Sequence, residues 1–318
     1  MPGAAPRPAP PPKPYSVAVV GATGCLGRAA CTAFAAQGHD VLAIARRHAP
    51  GVAARTFAAL DLTDAAPAAV TDLLAAHGVD VLVNAAGGWV RTEAEMAGVH
   101  VRLVERLLAA TAALPGRPRI VQVGSIHEYG RTVPGTSVDE SAEPAPDTPY
   151  GRTKLAGARV LLDATREGAA DGVVLRVVNV CGPGTTPASF LGAVTARLRA
   201  AAPGEPVELD IADARRDFVD VRDVADAVVR AAERPVTGRV VNIGSGTAVG
   251  MAELVALLVS AAGLPPGAVR IRGARAQSYS RGNDWTRADI TLAADLLGWR
   301  PRVGLRESLR DMWRAAGD

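Results

Sequence analysis

The sequence predicts an α/β fold, a doubly wound parallel sheet that carries a smaller C-terminal lobe. Three observations lead there. Short runs of valine, isoleucine and leucine recur from YSVAVV at 15 to VVNIG at 240, and such continuous runs suit strands covered on both faces. The stretches between them carry helical spacing. Three glycines fall between the first strand and the first helix. With 318 residues, 48% of them hydrophobic, the chain can bury a full core as one large or two modest domains.

The elements follow in order. A strand at 15–20 (YSVAVV), a helix at 25–37 and a strand at 40–45 (DVLAIA) form a βαβ start. Further short strands are expected near FAAL at 57, VDVLVNAA at 79, RIVQVGS at 119 and GVVLRVVNV at 172, separated by helices over 65–77, 92–113 and 150–167. Beyond 181 the pattern loosens into CGPGTTPASF, a strand at VELDI and a helix over 221–233, and then returns to the sheet at VVNIG. Residues 1–14, MPGAAPRPAPPPKP, read as a disordered proline-rich tail. Residues 15–180 form the dinucleotide-binding domain, with later returns to the sheet within 216–246. Residues 181–215 and 247–318 form the substrate-binding lobe, and no internal repeat is visible.

Composition excludes several functions. The net charge of +3 is small and the charges are interspersed, without the basic stripe that nucleic acid requires. The apolar runs around Val173 and Val255 are shorter than the roughly 18 residues of a membrane span, so a membrane partner is not expected. The first fourteen residues lack the apolar core of a signal peptide. Three cysteines, Cys25, Cys31 and Cys181, have no metal-ligand spacing; they suit packing positions in a reduced, cytoplasmic protein without a metal.

VAVVGATGCLGRAA places Gly21, Gly24 and Gly27 between the first strand and helix. Glycine there permits a tight turn, close approach of a pyrophosphate to the N–H groups of the helix start, and close helix-to-strand packing. A purely structural turn can show the same glycines, but the first βα junction is where a dinucleotide binds. The second strand ends in IARRH, without the acid that holds a ribose 2′-OH. Arg46 and Arg47 instead suit the 2′-phosphate of NADP(H), with a solvated surface pair as the alternative. Asp61 and NAAG at 84–87 follow the third and fourth strands at the same sheet edge. Asp61 can equally cap a helix starting near Asp64.

Only two lysines occur, Lys13 in the tail and Lys154 in TPYGRTKLAG. On a helix Tyr150 and Lys154 share a face, placing a phenol beside an ammonium. A nearby cation lowers a tyrosine pKa from its usual value near 10, which makes the phenol a usable general acid and base. Lysine is a compact point charge able to reach both the tyrosine and a cofactor ribose, whereas the arginine fork is wider. Ser125 ends the fifth strand in IVQVGSIHEYG, where its hydroxyl can polarise a carbonyl. By themselves, the serine reads as a turn residue and the tyrosine and lysine as a helix-surface pair.

Taken in order, the GATGCLG turn, Asp61, NAAG, the 25-residue spacing from Ser125 to Tyr150, YGRTK, RVVNVCGPG and RRDFVDVRDVADA resemble the extended short-chain dehydrogenase/reductase family, in its nucleotide-sugar branch, over residues 15–313. The resemblance implies a Rossmann-type domain in which Ser125, Tyr150 and Lys154 are catalytic. The cofactor, NADPH or NADP+, would meet Gly21, Thr23, Gly24, Cys25, Leu26, Gly27, Arg46, Arg47, Asp61 and Leu62, then Asn84, Ala85, Ala86, Gly87, Tyr150, Lys154 and Val178. Asn179, Arg216 and Arg281 would meet the sugar nucleotide. Arg216 has a structural alternative, pairing with Asp217 or Asp220, and Asn179 that of satisfying loop backbone. A homodimer through the helices over 92–113 and 150–167 is also implied.

Departures from the family pattern narrow the reaction. Cys181 stands where an aromatic residue is common, which puts that loop's packing on substrate in question. Ile126 and His127 replace the Asp-Glu pair of the dehydratases, which disfavours elimination of water. IARRH disfavours the tight NAD retention of epimerases. GSIHEYG followed by TPYGRTKLAG is similar to the TDP-4-keto-6-deoxyhexose 4-ketoreductases of antibiotic deoxysugar pathways, with His127 and Glu128 as candidate hexose contacts or solvated loop groups. The expected reaction is reduction of the C4 ketone of a TDP-sugar by NADPH. An NAD-dependent nucleotide-sugar epimerase and a non-catalytic NADP(H)-binding sensor remain the alternatives.

Overall fold

A computed structural model of the chain describes residues 14–88, 92–202, 204–272 and 283–317; residues 1–13 of the expected tail lie outside them. The chain opens with β1 (Ser16–Val20), α1 (Cys25–Ala36) and β2 (Asp40–Ala45). Next come β3 (Thr56–Ala59), α2 (Pro67–Ala76) and β4 (Val81–Asn84). A helical stretch of α3 (Glu93–Ala97), a π-helical segment (Gly98–Arg102) and α4 (Leu103–Ala112) leads into β5 (Arg119–Ser125), a 3-10 turn (Ile126–Tyr129), α5 (Pro149–Arg166) and β6 (Asp171–Val177).

These strands, with a later β10 (Val240–Ile243), form one seven-stranded sheet in the order β10-β6-β5-β4-β1-β2-β3. Every pairing in it is parallel. Successive residues of β1 feed opposite layers. Val17 and Val19 join Phe34 of α1 and Val224 and Val228 of α7 (Val221–Glu233). Ala18 and Val20 join Leu74 of α2, Leu107 of α4 and Leu161 of α5. Burial on both faces explains why the strands read as unbroken apolar runs. Each fully buried leucine such as Leu74 or Leu82 contributes about 1.5–3 kcal/mol.

The lobe contains β7 (Asn179–Cys181), α6 (Phe190–Ala200), β8 (Val207–Asp210), β9 (Arg215–Asp220), β11 (Ala248–Gly250) and α8 (Met251–Ala261), followed by β12 (Val269–Arg272), β13 (Trp285–Thr286), α9 (Thr291–Leu297) and α10 (Leu305–Ala315). Its own apolar core gathers Leu191, Val194, Leu254, Leu258, Leu309 and Met312. Strand β9 pairs with β7, β11 and β13 and not with the large sheet. The return to the large sheet, expected from residue 216, therefore begins with α7, which packs on α1.

The helix expected over 92–113 is broken in the middle. Its start is fixed by Thr92 and Glu95 in a reciprocal cap, but Gly98–Arg102 widens to a π turn. The cause is tertiary. A side chain at Gly157 of α5 would place its Cβ 1.9 Å from the His100 carbonyl oxygen, so the two backbones press together there. Local widening of a helix of this kind accompanies functional sites.

Candidate active site

The order of strands reverses between β1 and β4, and the carboxyl ends there open a crevice. Gly21 turns at φ 79°, and a Cβ on it would lie 2.8 Å from the Ala86 amide nitrogen. A Cβ on Gly27 would lie 2.1 Å from the Gly21 carbonyl oxygen. Gly24 is the N-cap of α1, with no side-chain cap and no acid in the first turn. The amides of that turn are thus available to an external anion, and the cradle fits a dinucleotide pyrophosphate.

A cleft of about 330 Å³ lies beside this turn. Cys25, Leu26, Ala85, Ala86 and Gly87 line it together with Ser125, His127, Tyr150, Lys154, Val178 and Asn179. Residues spread over more than 150 positions of sequence thus meet at one sheet edge. Other members of the expected cofactor set stand behind or beside the cleft. Asn84 is fully buried; it donates to Gln122 Oε1 at 2.9 Å and accepts from the Ala86 amide at 3.2 Å, so it shapes the NAAG loop from behind. Thr23 uses its carbonyl to accept from Arg28 Nε at 3.2 Å. Leu62 is buried in the core.

Asp61 accepts from the Thr63 hydroxyl at 2.7 Å and the Thr63 amide at 3.0 Å. The Thr63 hydroxyl bond, with Arg46 and Arg106 adding positive charge, holds its carboxyl below the usual carboxylate range. The helix that Asp61 could have capped begins later, at Pro67. Arg46 and Arg47 are exposed just beyond β2.

Thr148 caps α5 by accepting from the Gly151 amide at 3.1 Å. One turn on, Lys154 is buried and donates through Nζ to the Val123 carbonyl at 2.5 Å. Tyr150 is half-buried, and its ring meets the rings of His100 and His127 edge-on at 5.3 Å and 5.8 Å. Burial pushes the Tyr150 phenol up to about 12 against a hydrogen bond with Ser125 that acts downward, and Glu128 adds to the rise. This reverses the expectation of a lowered tyrosine pKa. The lysine is itself pushed down to about 8 by burial, with Glu128 opposing, because removing either charge form from water costs more than their proximity returns.

His127 is neutral near pH 7: burial, then the charge of Arg216, push it down to about 4. Arg216 is buried and donates through Nε to the Asn283 carbonyl at 2.8 Å. It does not take up the alternative pairings: Asp217 accepts from Ser245, Gly246 and Ala288, and Asp220 is bound by Arg222. Asn179 lines the cleft while donating to the Asp217 carbonyl at 3.0 Å, so it serves loop backbone as well. Arg281 lies outside the described residues.

Two expectations are corrected. Glu128 is fully buried; it accepts from the Ser125 amide and from Arg176 Nε, both at 2.8 Å, so it lies beneath the site and does not reach a hexose. Cys181 does not face the cleft; its thiol lies in the lobe core, 3.2 Å from Ser308 Oγ.

Sequence reasoning missed His100 and Arg176. His100 is buried, with Nδ1 2.8 Å from Thr153 Oγ1. Its Nε2 would be 3.2 Å from a Cβ on Gly87, a position 3.5 Å from Lys154 Nζ. Burial and the Lys154 charge push it down to about 4. A histidine inside an apolar helical pattern carries little signal for such a place. Arg176 was hidden in a strand read as uniformly apolar, where a lone arginine could have been noticed.

Fold and cleft together define a nucleotide-binding protein of the short-chain dehydrogenase/reductase type. The chain belongs to the NAD dependent epimerase/dehydratase family, whose model matches residues 17–244. It is 40% identical over 306 residues, 95% of this chain and 96% of the other, to a dTDP-6-deoxy-L-talose 4-dehydrogenase (NAD(P)(+)) of Kitasatospora kifunensis. A GDP-6-deoxy-D-mannose reductase of Pseudomonas aeruginosa is 29% identical over 64% of this chain and 67% of its own. Among solved structures, MoeE5 in complex with UDP-glucose and NAD superposes with a TM-score of 0.82 at 30% identity, covering 95% of this chain and 98% of the other.

Proposed function

We propose that this chain reduces the C4 ketone of a TDP-4-keto-6-deoxyhexose with NADPH. The observation that carries the reading is the convergence of Ser125, Tyr150 and Lys154 on one cleft beside the glycine turn. Likeness to a dTDP-6-deoxy-L-talose 4-dehydrogenase supports it, since oxidation at C4 is ketone reduction run backwards. Arg46 and Arg47, exposed beyond β2 without an acid beside them, favour the 2′-phosphate of NADPH.

When bound, NADPH supplies the hydride. The first-turn amides of α1 hold its pyrophosphate, and Lys154 contacts the ribose. Ser125 hydrogen-bonds the ketone oxygen and Tyr150 gives that oxygen its phenolic proton, so the ketone becomes a secondary alcohol. A phenol held near 12 stays loaded with its proton at neutral pH, which suits the reducing direction. The ketone oxygen gains negative charge during the reaction, and donors already aimed at it stabilise the transition state more than the ground state. His100 and His127 hold the Tyr150 ring from two sides, and both stay neutral.

Incubation with NADPH or NADH and a panel of TDP-4-keto-6-deoxyhexoses tests the reading. Consumption of NADPH with formation of the 4-hydroxy sugar is expected. NAD copurifying with the protein, with interconversion of C4 epimers and no added reductant, would establish the epimerase instead. NADP(H) binding with no turnover of any sugar would favour the sensor.

A further inference from the structure

We infer that Glu128 is a positioning residue, the buried counter-charge that anchors Ser125 through its amide and opposes loss of a proton from Tyr150 and Lys154. The parallel register of β5 and β6 sets Gly124 beside Arg176. Gly124 has no side chain, and a Cβ there would lie 2.7 Å from Glu128 Oε1. The glutamate fills that space. Oε1 accepts from the Ser125 amide and Oε2 from Arg176 Nε, each at 2.8 Å, and neither side chain is more than 5% exposed.

Arg176 is held in turn. Its guanidinium stacks 4.3 Å from the centre of the Tyr129 ring, the Tyr129 hydroxyl donates to Asn242 Oδ1 at 3.0 Å, and Asn242 Nδ2 donates to the Val138 carbonyl at 3.1 Å. The network ties β5, β6 and β10 under the site. A carboxylate so enclosed cannot turn toward substrate.

Its field acts on the site above. Burial is the main influence on both Tyr150 and Lys154, and Glu128 favours the protonated form of each. The other groups facing them differ in kind. His100 and His127 flank Tyr150 as neutral rings, Ser125 bonds to the phenol, and the Val123 carbonyl accepts from Lys154. Among these, Glu128 supplies the negative charge that offsets desolvation of the ammonium.

The inference rests on the proposed contact of Lys154 with the cofactor ribose, and its test needs no sugar. Glu128→Gln keeps the volume and an acceptor for the Ser125 amide while removing the charge. NADPH affinity of the full-length protein is titrated by nucleotide fluorescence between about pH 7 and 10, with Lys154 as the group expected to titrate. The pH at which affinity is lost should fall by about 0.5–1 unit relative to wild type. If Glu128→Gln leaves Arg176 too exposed to folding failure, the double variant Glu128→Gln/Arg176→Gln is used, with a smaller shift in the same direction. Weaker binding at every pH with an unmoved midpoint, or a wild-type affinity flat across the range, would overturn the inference. Failure to reduce any ketosugar would instead overturn the proposed function and leave this readout intact.

Discussion

The ammonium of Lys154 donates to the carbonyl oxygen of Val123 at 2.5 Å, tying α5 to the strand that ends in Ser125. The bond fixes the lysine where water cannot reach it. Its pKa falls from the ordinary 10.5 to about 8, mainly through burial. Between these values the unfolded chain binds a proton that the folded chain gives up, so this group's contribution to stability rises with pH from about 8 to 10.5 and is a constant penalty below. Lys154→Met should therefore stabilise the free protein at pH 7 by about 1–3 kcal/mol in urea unfolding while abolishing turnover. A less stable Lys154→Met protein would contradict the assignment of the burial penalty.

Lys154→Arg should fail differently. A Cβ on Gly87 would already lie 3.5 Å from Nζ and 2.9 Å from the His100 ring, so the wider guanidinium has no space to occupy. Cofactor affinity is expected to drop about tenfold or more. Normal affinity and turnover in this variant would sink the geometric argument for lysine.

Tyr150→Phe keeps the ring between His100 and His127 and loses only the hydroxyl. Stability should change by no more than about 1–2 kcal/mol, and NADPH affinity should be close to wild type. Turnover should fall by about 10²–10⁴. Stopped-flow reduction with saturating ketosugar separates these effects, and wild-type turnover would remove Tyr150 from the proton-donor role.

The turn glycines should divide by variant. Gly27→Ala forces a methyl to 2.1 Å from the Gly21 carbonyl and should cost about 2–4 kcal/mol of stability. Gly24 has an extended backbone at φ −73° and ψ 165°, and its Cβ would lie 3.3 Å from the same oxygen. Gly24→Ala should fold with a loss below about 1 kcal/mol, yet bind NADPH about tenfold more weakly because the methyl obstructs the pyrophosphate. Thermal melts with and without nucleotide distinguish the two; equal effects would argue for a purely structural turn.

Replacing both Arg46 and Arg47 with serine should reduce the NADPH-over-NADH ratio of kcat/KM by about 10–100-fold, the value of one or two charge-assisted bonds. Both side chains are exposed, so stability should hold within about 0.5 kcal/mol. An unchanged cofactor ratio would return the pair to the role of solvated surface charges.

Much of the fold was legible because its signals are local. β1, α1 and β2 fall where the apolar runs and glycines put them, and the i to i+4 spacing placed Tyr150 and Lys154 on one helix. The break at Gly98–Arg102 was not legible, because it depends on the approach of Gly157 from α5. Glu128 was misread for the same reason: in GSIHEYG nothing marks it as the partner of Arg176, 48 residues away.

The sequence by itself determined the parallel sheet, the glycine turn and the order in which Ser125, Tyr150 and Lys154 occur, since strand burial and helical spacing are written in neighbouring residues. Only the tertiary structure decided the protonation of the site. A pKa depends on how much water is removed and which charges remain nearby, and those atoms come from β5, β6, α5 and the π-helical segment together. It made the tyrosine a strongly held proton rather than a weakly held one, and turned a presumed sugar contact into a buried charge under the serine.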